Sequence, residues 1–298
     1  MKGFFKSVGY TLLLILVYMA FQFCWTLASV VLATMLAVKK GLLPVDVFDK
    51  LDELEVLLCA PATNDLYIWA MSVSLFLSAI SMLLFLHFIK GYRLKPGLFR
   101  SMHAKPLLYS TLLVFSSMFA LNIFVQWFGL KDNLSEEFDG LVHNVVGVVT
   151  IALLAPLLEE VLFRGAIQGY MMRRYNPWVA IVYAAVVFGV FHLNPVQSFY
   201  AALIGVVFGW IYYRTGSLLS VIVGHVLNNS LATVVLFFFP DGEGLSMPES
   251  VMSSGAQMAS EVFGCIFFAL LSVYFAIKLN ASLPPVSSPW RDATDAVR

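Results

Sequence analysis

Charge is what this 298-residue sequence has least of. Charged residues make up 12% of the chain, about half of what a soluble domain of this size carries. The 18 Lys and Arg balance the 18 Asp and Glu, so no basic field points to nucleic acid. Cysteine is also scarce. Cys24, Cys59 and Cys265 lie far apart, which excludes a C-x-x-C metal knuckle and offers no disulfide framework. Cys24 and Cys265 sit in apolar runs and read as small core residues. No internal repeat is visible.

What fills the chain instead is apolar sequence. Residues of the hydrophobic set make up 60% of it, and the mean hydropathy is +0.85. A bilayer-spanning helix needs roughly 20 mainly apolar residues. Eight segments meet that need, some narrowly: 8–38, 66–89, 106–130, 144–172, 178–194, 197–213, 217–239 and 258–279. The fold class expected is all-α, a polytopic transmembrane bundle of about eight helices. The first run is too long for a signal-peptide core and has no convincing cleavage site, so it reads as a retained helix. The breaks carry turn and cap residues, among them Asn176-Pro177, Asn194-Pro195 and Thr215-Gly216. The fifth and sixth segments are short, which would thin the barrier and admit water.

Lys and Arg concentrate near the N-terminus, in the 90–105 loop, at Arg173, Arg174 and Arg214, and after residue 277. Lys39, Lys40, Lys50 and Lys131 fall on the other side. By the positive-inside bias both termini face the cytoplasm, as an even number of spans requires. Four stretches follow: residues 1–140, helices without a recognised motif; 141–240, a polar-bearing core; 241–282, the last helix; and 283–298, a proline-rich tail that reads as disordered.

Apart from His87, ionisable side chains enter the apolar helices only after residue 140. Such groups are costly at membrane depth, so each is a functional candidate. Glu159-Glu160-x-x-x-Arg164 comes first. Glu160 and Arg164 are one helical turn apart and can pair, which leaves Glu159, turned about 100° away, as a candidate general base. Pro156 just upstream predicts a kink. The plain alternative is that both glutamates cap a helix end beside Arg173 and Arg174. Phe188-x-x-x-His192 is second. The third is His225-x-x-Asn228-Asn229, where His225 and Asn229 share a face and offer hydrogen-bond donors toward one point, as an oxyanion site requires. Their plain alternative is polar glue between helices. Counting about 1.5 Å per residue from the inner ends puts Glu159 and His192 about 22 Å deep, Asn229 about 20 Å and His225 about 14 Å. Ala201, Gly205 and Gly209, four residues apart, form a small-residue stripe that permits close helix packing.

The ordered trio Glu-Glu-x-x-x-Arg, Phe-x-x-x-His and His-x-x-x-Asn, on successive apolar helices, resembles the CAAX-protease and bacteriocin-processing family, which includes the Ras-converting CAAX endopeptidase. The resemblance covers about residues 140–240. It implies an intramembrane endopeptidase in which Glu159 and His192 activate water. His225 and Asn229 would stabilise the oxyanion, and Glu160 and Arg164 would support the geometry. The expected mechanism uses no metal or other cofactor, because the H-E-x-x-H spacing is missing. Glu159, His192 and His225 from separate helices still form a zinc-capable set, so a zinc-dependent version stays open. The expected partners are membrane lipids and a membrane-associated or lipidated polypeptide substrate, with no nucleic acid. The brief loops suit a bacterial inner membrane. The competing class is a non-enzymatic transporter or scaffold using the same charges structurally. A bis-His haem site on His192 and His225 would leave the charged neighbours without a role.

Overall fold

The computed structural model describes residues 2–49, 63–88, 99, 102–130, 141–238 and 254–285. The tail beyond 285 and most of the loops 89–101 and 131–140 lie outside the described residues. The eight apolar runs form eight helices: α1 Lys2–Lys39, α2 Asn64–Phe88, α3 Ala104–Gln126, α4 Val145–Met172, α5 Pro177–Phe191, α6 Pro195–Thr215, α7 Leu218–Phe238 and α8 Ser254–Ala281. No strand occurs among the described residues. Seven of these helices are long and apolar enough to cross a membrane, and α5 is a shorter apolar helix. The chain is an integral, multi-pass membrane protein. At 15 residues, α5 rises about 22 Å, well under the roughly 30 Å of a hydrocarbon core. The expectation that α6 is also short is corrected: it extends to 21 residues.

The helix ends follow local chemistry. Asn176 and Asn194 each precede a proline at the first helical position, and each side chain caps a free N–H, of Trp178 at 2.9 Å and of Gln197 at 3.2 Å. Gly216, at φ +65°, ends α6 in the left-handed conformation, with its N–H donating to the Tyr212 carbonyl. The kink expected at Pro156 takes the form of wide π-type turns over Thr150–Leu154 and Glu160–Gln168. Proline has no N–H and its ring presses on the carbonyl four residues back, which the wider turn relieves.

The chain divides into two compact units. One holds residues 1–91 and 136–155. In it α1 packs against α2 through a polar strip: Gln22 and Thr26 reach Ser74, and the Trp25 indole donates to Ser81 at 3.0 Å. Thr150 donates to Ser72 at 2.8 Å. Cys24 is exposed on α1, so its reading as a core residue is wrong. With α2 as its main neighbour, α1 turns much of its apolar surface outward, as a lipid-facing helix does.

The other unit holds residues 92–135 and 156–298. Here α3 packs against α6, α7 and α8, and α5 packs along α6 and the second half of α4. The α5–α6 contact is glycine-dependent. A Cβ on Gly189 would lie 2.5 Å from the Ser198 carbonyl oxygen and 2.7 Å from the Ala202 Cβ. The stripe of Ala201, Gly205 and Gly209 serves close packing as expected: a Cβ on Gly205 would meet Ala185 at 3.2 Å, and one on Gly209 would meet Gln168 Oε1 at 2.8 Å. Gly189→Ala gains about 1 kcal/mol of helix propensity but collides with backbone, and overpacking costs about 1–3 kcal/mol. A net loss of thermal stability in detergent is expected. An unchanged or raised Tm would contradict this packing.

Candidate active site

All six residues picked out by the motifs lie in the second unit. Glu160 and Arg164, one turn apart on α4, form an ion pair with Arg164 Nη1 2.8 Å from Glu160 Oε1, and both side chains are 0% exposed. The same Glu160 oxygen accepts a 2.7 Å hydrogen bond from His225 Nδ1 on α7. His225 Nε2 faces Glu159 Oε2 at 3.7 Å. Thus four of the six side chains form one connected network. The depth count had set His225 about 8 Å shallower than Glu159. That difference vanishes because Glu and His side chains span several ångströms and helices tilt.

The two glutamates differ in a way that matters chemically. Glu160 is held through Oε1 by a guanidinium and an imidazole and shut off from solvent. Glu159 keeps 20% of its side chain exposed and approaches His225 at a distance longer than a hydrogen bond. Its lone pairs remain able to accept from a small molecule.

His192 stands at the end of α5. Its Nδ1 donates to the Phe188 carbonyl at 2.8 Å, so in the neutral ring Nε2 is an acceptor. Among the described residues no hydrogen bond joins it to Glu159. Phe188 links it to the rest, with its ring edge-on to His192 at 4.8 Å and to His225 at 5.9 Å. The Arg164 guanidinium lies 4.3 Å from the centroid of the same ring, and Phe208 lies 4.9 Å from His225. These faces supply cation–π contact to a buried cation. The turn after His192 places Leu193 at φ +55°, a left-handed conformation that ends α5 there.

Asn229 is one turn from His225 on α7, and its Oδ1 accepts from Asn228 Nδ2 at 3.1 Å. Among the described residues no three His, Cys, Asp or Glu groups come together as a metal site would need.

Several participants were not read from the sequence. Gln168, 0% exposed, donates to the Gly209 carbonyl at 2.8 Å, one turn along from Arg164, whose Nη2 reaches the Gly205 carbonyl at 3.4 Å. The two side chains form successive rungs on carbonyls bared by missing Cβ atoms. Tyr200 donates to Asn228 Oδ1. The only sequence signal for Gln168 was its spacing of four residues from Arg164. Tyr200 had none.

Fold and site together define a class: a multi-pass helical membrane protein with a buried carboxylate–guanidinium–imidazole centre beside a partly open glutamate. Residues 141–231 match the family model of the Rce1-like type II CAAX prenyl endopeptidases. That segment contains all three motifs and bears out the resemblance they carry. The chain is also similar to a Bacillus subtilis (strain 168) protein named "Putative membrane peptidase YdiL", at 24% identity over 125 residues. The similarity covers 41% of this chain and 51% of that protein, so the chain spans about half the length of the curated relative it matches. No solved structure matches it.

Proposed function

We propose that this chain is an intramembrane endopeptidase that hydrolyses a peptide bond of a membrane-associated polypeptide. The observation that carries the reading is the division of labour between adjacent glutamates. Glu160 is locked to Arg164 and His225, whereas Glu159 is partly open and able to take a proton from water. His192 Nε2, left as an acceptor by the bond at Nδ1, accepts a hydrogen bond from the water's other O–H and orients it. The activated water attacks the scissile carbonyl carbon, and the negative charge moves onto the carbonyl oxygen. Asn229 stabilises that oxygen, and His225 does so from Nε2 as the doubly protonated ring, its Nδ1–H being held by Glu160. Collapse breaks the C–N bond, and Glu159 returns its proton to the leaving amine. The family description and the name of the bacillar relative support a peptidase. A lipidated, CAAX-type substrate is the finer proposal, with a bacteriocin-related polypeptide as the other family option. Both termini in the cytoplasm of a bacterial inner membrane complete the reading.

In this proposal the mechanism uses no metal: Glu159 and His192 activate the water themselves. Zinc on Glu159 with the Nε2 atoms of His192 and His225, whose Nδ1 atoms are held by a backbone carbonyl and by Glu160, is the alternative that the test decides. The test is cleavage of prenylated and unprenylated membrane peptides by purified protein, with metal content measured alongside. Hydrolysis is expected to survive a strong chelator. Stoichiometric zinc whose removal stops cleavage, restored on adding zinc back, would overturn the metal-free mechanism. Absence of cleavage from every membrane peptide, in a protein that is folded and inserted, would favour the transporter or scaffold reading.

Asn229→Ala is expected to lower kcat and kcat/KM together by about 10²–10³, with KM little changed, because an oxyanion donor acts on the transition state. A raised KM at constant kcat would assign Asn229 to substrate binding instead.

A further inference from the structure

An asparagine serves an oxyanion only if its NH2 end faces the charge. Its oxygen end, nearly the same size, would repel it, so something has to decide which end points where. We propose that Tyr200 and Asn228 are positioning residues that hold the Asn229 amide with its NH2 end outward. This inference rests on the reading of Asn229 as an oxyanion donor.

A chain of hydrogen-bonded side chains within the second unit sets that orientation. Tyr200 on α6 has a single phenol proton and donates it to Asn228 Oδ1 on α7. With its oxygen so used, Asn228 presents NH2 to its neighbour, and Nδ2 donates to Asn229 Oδ1 at 3.1 Å. Asn229 therefore has its oxygen engaged, and its NH2 end points away from Asn228. Each amide is set by the group before it. Asn228 is 8% exposed, so water competes little for these bonds. The adjacent Asn228 and Asn229 differ in role: one touches the relay, the other the reacting oxygen.

Tyr200→Phe removes only the hydroxyl. Asn228 can then rotate its amide, and Asn229 samples both orientations. The expected result is a fall in kcat of about tenfold, smaller than the loss in Asn229→Ala, with KM and Tm close to wild type. In an Asn229→Ala background the same Tyr200→Phe change is expected to cost nothing further, since there is no amide left to orient. Asn228→Asp offers only acceptors to its neighbour, so Asn229 turns its NH2 inward, and kcat is expected to drop as far as in Asn229→Ala. Unchanged kcat in Tyr200→Phe, beside a full loss in Asn229→Ala, would overturn this proposal alone. A Tyr200→Phe loss that persists undiminished without Asn229, or that appears as lower Tm or higher KM, would make Tyr200 a structural residue and also overturn it. Wild-type kcat in Asn229→Ala would remove the oxyanion reading and this inference with it.

Discussion

Glu159→Gln is expected to abolish hydrolysis in a protein that still inserts and folds. The amide is nearly isosteric with the carboxylate but takes no proton from water, so what is lost is the base itself. Positioned general acid–base groups contribute about 10²–10⁴ in rate, and here the same residue would also return the proton to the leaving amine. The fold should tolerate the change because Glu159 is partly open and its contact with His225 Nε2 is 3.7 Å long. The neighbouring Glu160→Gln tests the opposite prediction on the same helix: it should disturb stability as well as turnover. Wild-type-like turnover in well-folded Glu159→Gln would end the general-base assignment.

The Glu160–Arg164 pair carries the second large effect. Both side chains are 0% exposed, and the Glu160 oxygen is shared with His225. Glu160→Ala strands a guanidinium that keeps a 3.4 Å bond to the Gly205 carbonyl and the faces of Phe188 and Phe208 but has lost its paired carboxylate. Arg164→Ala strands a carboxylate beside His225. Breaking a buried pair from one side costs about 3–5 kcal/mol, whereas removing both partners leaves no uncompensated charge. The double variant is therefore expected to be more stable than the sum of the single losses predicts. A thermal-stability cycle showing simple additivity would contradict mutual dependence. Arg164→Lys should not restore the wild type, since one ammonium does not replace a planar group that reaches Glu160, Gly205 and two rings at once.

Much of the architecture was legible because a membrane imposes a severe rule on sequence. A spanning segment has to be apolar for about 20 residues and hydrogen-bond its own backbone. The run read as 66–89 became Asn64–Phe88, and that read as 217–239 became Leu218–Phe238. Asn-Pro pairs marked two helix starts, since a capping side chain and a residue without N–H suit the same place. The ionisable residues of the site stood out for the converse reason: charges inside such runs are expensive, and spacings of four put Glu160 with Arg164 and His225 with Asn229 on shared faces.

Local spacing does not extend between helices, and there the sequence was silent. It left open that His225 would turn Nδ1 to Glu160 and Nε2 toward Glu159, a choice made by how α7 packs on α4. It marked Pro156 but not the wide turns over Glu160–Gln168 that carry the site. Gln168 and Gly209 are 41 residues apart, Tyr200 and Asn228 are 28 apart, and neutral polar residues in apolar helices have no periodic signature. The sequence by itself determined the helices, their order and the cost-bearing charges, because these depend on composition and on neighbours within one turn. Tertiary structure alone decided which glutamate is buried against His225, which is open and which way an amide faces, because hydrogen-bond partners are assigned only where separate helices meet.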